Sequence, residues 1–274
     1  MIPFIALSFK PIVFIVGLVL GSFINVVALR YSGAGRLFKF AGPKRSHCPH
    51  CGNILRWYEL IPVASFFLQL GRCRQCRHKL SWQYPIMELA SGFAMLLIFY
   101  LPGPTGIIWA LAALAMILLS AIDWRLQIIP DQINLFLAGL GIILGLLGAG
   151  SFLENYAPLF SLTSNALLSR LMAAIAAVIF FGFIIAVSRG RAMGVGDLKL
   201  SGALGLLLGW PDIVLSLSFS FIIGAFIGLV LLILNRKKLK SVIPFGPFLV
   251  GGVFLHILFG YQVVKWYFSI SLIN

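Results

Sequence analysis

Two aspartates stand where acids are expensive. Asp197 lies in Gly194-Val195-Gly196-Asp197-Leu198-Lys199, a glycine-bracketed turn at the mouth of an apolar segment. Asp123 closes another apolar segment, in Ala121-Ile122-Asp123-Trp124-Arg125. Acids near membrane depth are functional or paired. Two carboxylates brought face to face cannot both ionise, so they share one proton. The ionised member then accepts a proton from water while the protonated one donates toward a carbonyl oxygen, which suffices to hydrolyse a peptide bond without a covalent intermediate. The chain has no G-x-S-x-G elbow and no Cys–His pair outside its cysteine cluster. A competing reading makes separate interfacial ion pairs, Asp123 with Arg125 and Asp197 with Lys199; spacing does not choose between the two. Gly194 and Gly196 are read as permitting unusual backbone angles and close backbone approach, so that the Asp197 carboxylate is presented inward. Asp131 follows Pro130 and reads as a helix start or as a substrate-positioning acid. Glu154 and Asp212 fall on the opposite side and are expected to be solvated.

The second constellation is Cys48-Pro49-His50-Cys51-Gly52 followed by Cys73-Arg74-Gln75-Cys76. Two C-x-x-C pairs, the first with a glycine after it, fit four thiolates around a tetrahedral zinc ion. Four protein ligands close the site, so its role is structural, and the metal would supply folding energy to a module with little core of its own. Reduced thiols, redox chemistry or an iron–sulfur cluster are the alternatives. His47, His50 and His78 read as surface residues, since the cysteines already complete a ligand set.

These groups need elements to position them, and the composition says which kind. The chain is 61% hydrophobic and 10% charged, with a mean hydropathy of +1.04. A soluble domain carries about a quarter charged residues. The expectation is an all-α polytopic membrane protein of about eight transmembrane helices, with a small cytoplasmic module between the first and second. The spans are predicted at residues 11–29, 85–101, 107–122, 133–147, 167–187, 200–209, 213–234 and 248–264, the sixth too short for a comfortable crossing and read as short, tilted or extended through the glycine turn. Three domains follow: residues 1–29, the first helix; residues 30–84, the four-cysteine module; and residues 85–274, the remaining transmembrane core. The net charge of +14 comes from Lys and Arg clustered in short loops, as the positive-inside rule requires, so the partner it implies is anionic membrane lipid and not nucleic acid. Residues 30–82 hold ten basic residues, Arg30, Arg36, Lys39, Lys44, Arg45, Arg56, Arg72, Arg74, Arg77 and Lys79, and one acid, Glu59. This module is therefore cytoplasmic, and both termini lie outside. Asp123, Asp131 and Asp197 all fall on the inner side. Asn25, polar at span depth, needs a partner.

Two other stretches complete the pattern. Gly21-Ser22-Phe23-Ile24-Asn25 lies toward the inner end of the first span, and Pro244-Phe245-Gly246-Pro247-Phe248 opens the last. The second reads as a wall of the site or as a kinked helix start. Taken in order, residues 21–30, 46–52, 57–65, 71–76, 84–92, 123–131, 194–200 and 244–248 resemble the type IV prepilin peptidases. The Gly-x-Gly-Asp turn is also similar to that of the wider intramembrane aspartyl proteases. The resemblance implies an eight-span inner-membrane enzyme that cuts on the cytoplasmic side, with its catalytic aspartates at Asp123 and Asp197. Asp131, Gly194, Gly196, Lys199, Pro244, Gly246 and Pro247 would shape the site. The family's substrate is a prepilin or pseudopilin, whose short basic leader is removed after glycine, ahead of an apolar helix. Many members then methylate the new N-terminus with S-adenosylmethionine. Two departures bear on that second step: Glu59 stands where many members carry aspartate, and the linker after Arg30 is short and lacks the common proline. Glu59 is the one residue nominated for that cofactor. A proton- or ion-coupled transporter and a non-catalytic assembly factor are the readings from other classes. A transporter should hold acids along a midplane path, and here Asp123, Asp131 and Asp197 lie together on the inner side.

Overall fold

The computed structural model describes residues 2–33, 37, 45–101, 103–153, 163–234 and 243–271. Every regular element among them is helical; the only β features are isolated bridges, His47 with Ile54 and Arg72 with Lys79. Glu154, the linker cations Arg36, Lys39 and Lys44, and the basic run Arg236, Lys237, Lys238 and Lys240 lie outside the described residues. The chain forms two compact units, Met1–Ile122 and Asp123–Asn274.

In the first unit α1 (Ile2–Arg30) is followed by a 3-10 turn (Trp57–Leu60), α2 (Ala64–Leu68), α3 (Gln83–Met95), α4 (Leu97–Tyr100) and α5 (Pro104–Leu126), which runs on into the second. α1 and α3 lie side by side. Small residues let their backbones touch: a Cβ added at Gly17 would stand 2.7 Å from Gly92 Cα, and one at Gly21 2.8 Å from Glu88 Cα. The polar group inside α1 finds its partner here, for Gln83 Nε2 donates to Asn25 Oδ1 at 2.8 Å.

The second unit holds α6 (Asp131–Leu146), α7 (Ala166–Ser188), α8 (Val195–Leu208), α9 (Asp212–Ile233) and α10 (Gly246–Ser271). Asn165 caps α7, accepting from the N–H groups of Leu167 and Leu168 at 3.0 and 3.1 Å. α8 packs chiefly against α6 and α7, and α9 against α10. Leu200, Gly202, Leu204, Gly205 and Leu208 are all buried, around the whole circumference of α8, as expected of an enclosed helix. A Cβ at Gly205 would meet Ala174 Cα at 2.6 Å. Gly205→Ala therefore has to push α7 and α8 apart, and we expect a loss of about 1–3 kcal/mol in detergent unfolding experiments.

Among the described residues five helices are long and apolar enough to cross a bilayer: Phe9–Arg30, Pro104–Leu126, Ala166–Ser188, Asp212–Ile233 and Gly246–Ser269. The chain is an integral membrane protein. The second, fourth and sixth expected spans fall on shorter helices: α3 of 13 residues, separated from α4 at Leu96, α6 of 16 and α8 of 14. At 1.5 Å per residue, 14 residues cover about 21 Å, against a hydrocarbon core of about 30 Å. α8, which holds the sixth expected span, is both short and extended back through the glycine turn, to Val195.

Candidate functional site

Asp123 lies in the last turn of α5, four residues further into a helix than hydropathy suggested, since α5 continues to Leu126 and is closed by Gln127 N–H on Asp123 O at 2.8 Å. Its carboxylate is buried, and Oδ2 accepts the Gly246 N–H at 3.0 Å. Pro244-Phe245-Gly246-Pro247 thus starts α10 abruptly. Proline at the second helical position lacks only an N–H that has no partner inside the helix anyway, and Gly246 N–H is left to point at Asp123. Asp197 occupies the first turn of α8, where its carboxylate accepts the Gly194 N–H at 3.2 Å. This is half of a capping box, with the acid three residues beyond the cap reaching back to the cap's own N–H. Asp197 is close enough to act electrostatically on Asp123, although 74 positions separate them along the chain. Both carboxylates therefore sit against helix N-termini, whose partial positive charge favours anions.

Asp131 opens α6 and binds Lys199 Nζ through both oxygens, at 2.8 and 2.9 Å. The pair is largely exposed and ties the start of α6 to the first turn of α8. Lys199 is thereby engaged with Asp131 and not, as the ion-pair reading had it, with Asp197.

The glycines differ from expectation. Gly194 has φ −89° and ψ 159°, angles open to any residue, and Gly196 is helical. Cβ atoms added there would make only ordinary contacts, 3.7 Å from Asp197 Oδ2 and 3.4 Å from Ile129 Cβ. Among the described residues neither the backbone nor packing requires glycine, and the two glycines leave bare space beside the Asp197 carboxylate.

Asp212 corrects a further expectation. It is fully buried, not solvated: Ser151 Oγ and Phe152 N–H donate to it at 2.8 and 3.0 Å, and His256 Nε2 lies 3.2 Å away. Arg170, also buried, acts on it electrostatically. The guanidinium donates to the carbonyls of Leu206, Leu207 and Ala149, closing the C-terminal end of α8 opposite Asp197. Reading by hydropathy passed over Arg170 and His256; the available signal was an arginine inside an apolar run.

In the first unit the four cysteine sulfurs lie within 4.8 Å of one another and could hold a metal ion. A tetrahedral zinc with bonds of about 2.3 Å would set them about 3.8 Å apart, and Cys48 and Cys76 are already at 4.0 Å. Two matching turns build the cluster. Gly52 N–H returns to Cys48 O at 3.0 Å and Arg77 N–H to Cys73 O at 2.9 Å, with φ of 70° and 56°. The second turn thus forces an arginine into a conformation that glycine takes freely. The Cys76 backbone N–H, opposed by burial and helped by Gln75 N–H and the adjacent thiols, brings the Cys73 thiol down to about 7, toward the thiolate that binds metal. His50 and His78 stack at 4.1 Å outside the cluster.

Beside the cysteines is a cavity of about 400 Å³, with Arg30, Glu59 and Glu88 as its charged groups and Leu29, Phe66 and Tyr84 among its walls. Arg56 N–H holds Glu59 at 2.8 Å, and Val63 N–H holds Glu88 at 2.7 Å. Val63 is itself at φ 61°, a rare conformation for a β-branched residue and one typical of functional walls. Volume and lining are those of a site for a small organic ligand.

Comparison with known proteins agrees with this architecture. Residues 15–101 match the model of the bacterial peptidase A24 N-terminal domain, and residues 110–229 that of the type IV leader peptidase family. A prepilin leader peptidase/N-methyltransferase of Burkholderia pseudomallei (strain K96243) is 34% identical, over 90% of this chain and 84% of the relative. Proteins of the same description from Stutzerimonas stutzeri and Pseudomonas aeruginosa are 30% and 29% identical, over 97% of this chain and 96% and 95% of their own lengths. No solved structure matches the chain significantly. With its N-terminal domain, its core and its full-length relatives all in agreement, the chain belongs to the type IV leader peptidase family.

Proposed function

We propose that this chain is an aspartic endopeptidase of the bacterial inner membrane that removes the short basic leader of type IV prepilins or pseudopilins and then N-methylates the exposed N-terminus. The observation that supports the proteolytic reading is that Asp197 lies within electrostatic reach of Asp123, each carboxylate held by a helix N-terminal N–H. Sharing one proton, they divide the work. The ionised carboxylate takes a proton from a water molecule as its oxygen bonds to the scissile carbonyl carbon. The protonated one donates to the carbonyl oxygen. Collapse then breaks the C–N bond, and the leaving amine takes up a proton. The space beside Gly194 and Gly196 admits the extended substrate backbone. Asp131, Lys199, Pro244, Gly246 and Pro247 hold the helix ends that frame it.

The topology in this reading is eight crossings, with both termini outside and the cysteine module in the cytoplasm. Cys48, Cys51, Cys73 and Cys76 bind structural zinc. Cys73→Ser is expected to remove most of the bound zinc, measured by elemental mass spectrometry of the purified protein, and to lower the module's stability.

The cavity in the first unit suits S-adenosylmethionine, which carries two cationic centres, a carboxylate and a flat adenine. Glu59 and Glu88 face the cations, Arg30 the carboxylate, and Phe66 and Tyr84 supply aromatic walls. When bound, the cofactor supplies a methyl group to the amine nitrogen; the carbon–sulfur bond breaks with its electron pair left on sulfur, and the amine loses a proton. Glu59→Gln should weaken S-adenosylmethionine binding roughly tenfold in calorimetry while leaving leader cleavage intact. Unchanged binding would move the cofactor elsewhere.

The deciding experiment incubates a prepilin with the protein in membranes and weighs the product N-terminus. A product shortened after glycine and heavier by one methyl group supports both activities. An uncut prepilin overturns the proteolytic reading.

A further inference from the structure

The four-cysteine module carries an apolar patch that its own fold does not use. Phe67, Leu68, Leu70 and Trp82 are 53, 84, 85 and 62% exposed. The rings of Phe67 and Trp82 are 6.3 Å apart, Phe66, buried beneath, is 5.1 Å from Trp82, and Leu70 N–H bonds to Phe67 O at 3.0 Å, with Leu68 between them in the chain. Leu80 N–H bonds to Gly71 O at 2.8 Å and Arg72 bridges to Lys79, so Leu70 and Trp82 lie at the same end of this small ladder. Folding alone does not account for the composition. Leu70 is held at φ 52° with nearly all of its side chain in the open, a position that glycine or asparagine fills more cheaply in water. Exposed apolar patches of this kind mark an interaction surface.

Its position names the occupant. Trp82 immediately precedes α3, and Gln83 is bonded to Asn25, five residues before the end of the membrane-crossing helix α1. Five helical residues rise about 7.5 Å, so the base of the module sits at the depth of the headgroups. Arg72 and Lys79, bridged through their backbones across the ladder, stand two residues from Leu70 and three from Trp82 along the chain and bring positive charge to this part of the module. Aromatic and leucine side chains edged by cations are the signature of a segment lying in the interface of an anionic bilayer.

We propose that the module is seated on the membrane through Phe67, Leu68, Leu70 and Trp82, which enter the headgroup–acyl boundary while Arg72 and Lys79 engage anionic headgroups. A module so fixed cannot swing freely above the bilayer. It stays at the height where an N-terminus released at the membrane surface would arrive.

The test places the photo-cross-linking residue benzoylphenylalanine at Leu68 in the full chain, reconstituted into nanodiscs containing phosphatidylglycerol. A second preparation carries it at Leu70, and a reference preparation at Ile222, an exposed position on the membrane-crossing helix α9. Adducts are identified by mass spectrometry, in preparations whose zinc content matches wild type. Lipid adducts at position 68 or 70, in yield comparable with position 222, are the expected result. Exchanging phosphatidylglycerol for phosphatidylcholine should lower the yield at 68 and 70 several-fold and leave that at 222 unchanged. Adducts to a second copy of the chain or to another segment of the same chain, or the absence of lipid adducts at both module positions while 222 labels, overturns the proposal. An equal yield with either lipid overturns the part given to Arg72 and Lys79.

Discussion

Asp123→Asn and Asp197→Asn should each lower leader cleavage by roughly 10²- to 10⁴-fold, with no change in the amount of folded protein. Asparagine is chosen because it separates two roles. Both carboxylates accept a backbone N–H at a helix start, Gly246 for Asp123 and Gly194 for Asp197. The amide oxygen of asparagine can accept the same bond, so a helix-capping role survives the change. It can neither give up a proton nor take one from water, so an acid–base role does not. Cleavage by purified protein, followed by mass spectrometry of the product, reads the second; thermal unfolding in detergent reads the first. If both variants cut at the wild-type rate, the aspartates are caps and the dyad is wrong. Methylation provides an internal control. A synthetic peptide that already begins at the mature N-terminus should still be methylated by both variants, because the cavity proposed for the methyl donor lies in the first unit.

Arg170→Met should cost about 3–5 kcal/mol of stability. The guanidinium closes the end of α8 through the carbonyls of Leu206 and Leu207, reaches Ala149 and acts electrostatically on Asp212. Methionine fills similar space and satisfies none of these groups. It also removes the electrostatic support of Arg170 from the fully buried carboxylate of Asp212, which keeps only Ser151, Phe152 and His256 beside it, and a buried charge that loses part of its compensation costs more than a missing contact. Adding Asp212→Asn to Arg170→Met should restore part of the loss, so that the double variant is more stable than the sum of the single effects predicts. Unfolding in mixed micelles measures all three. A loss under about 1 kcal/mol for Arg170→Met would show that water reaches this end of the second unit. Since α8 also carries Asp197 in its first turn, loosening its far end should lower cleavage as well.

What the sequence determined by itself is the set of local properties. An apolar fraction of 61% with few charges demands membrane helices, because every backbone polar group must be satisfied inside its own segment. The two C-x-x-C pairs bring four thiols together because each turn is built within a few residues, from Cys48 to Gly52 and from Cys73 to Arg77. The candidate acids were legible too, since a carboxylate among apolar residues is conspicuous wherever it stands. The tertiary structure alone decided what these groups meet. Asp123 is joined to Gly246, 123 residues away, and Lys199 to Asp131, 68 residues away, and no periodicity records such a pairing. Hydropathy assigns an acid near a span end to water, yet Asp212 is enclosed by Ser151, Phe152 and His256. Glycine in the Gly-x-Gly-Asp turn suggested unusual backbone angles, whereas the folded turn is ordinary and the glycines leave open space. The reason is the same in each case: residue type and spacing govern local conformation and solvation, while the environment of a buried polar group is supplied by whichever distant segment packs against it.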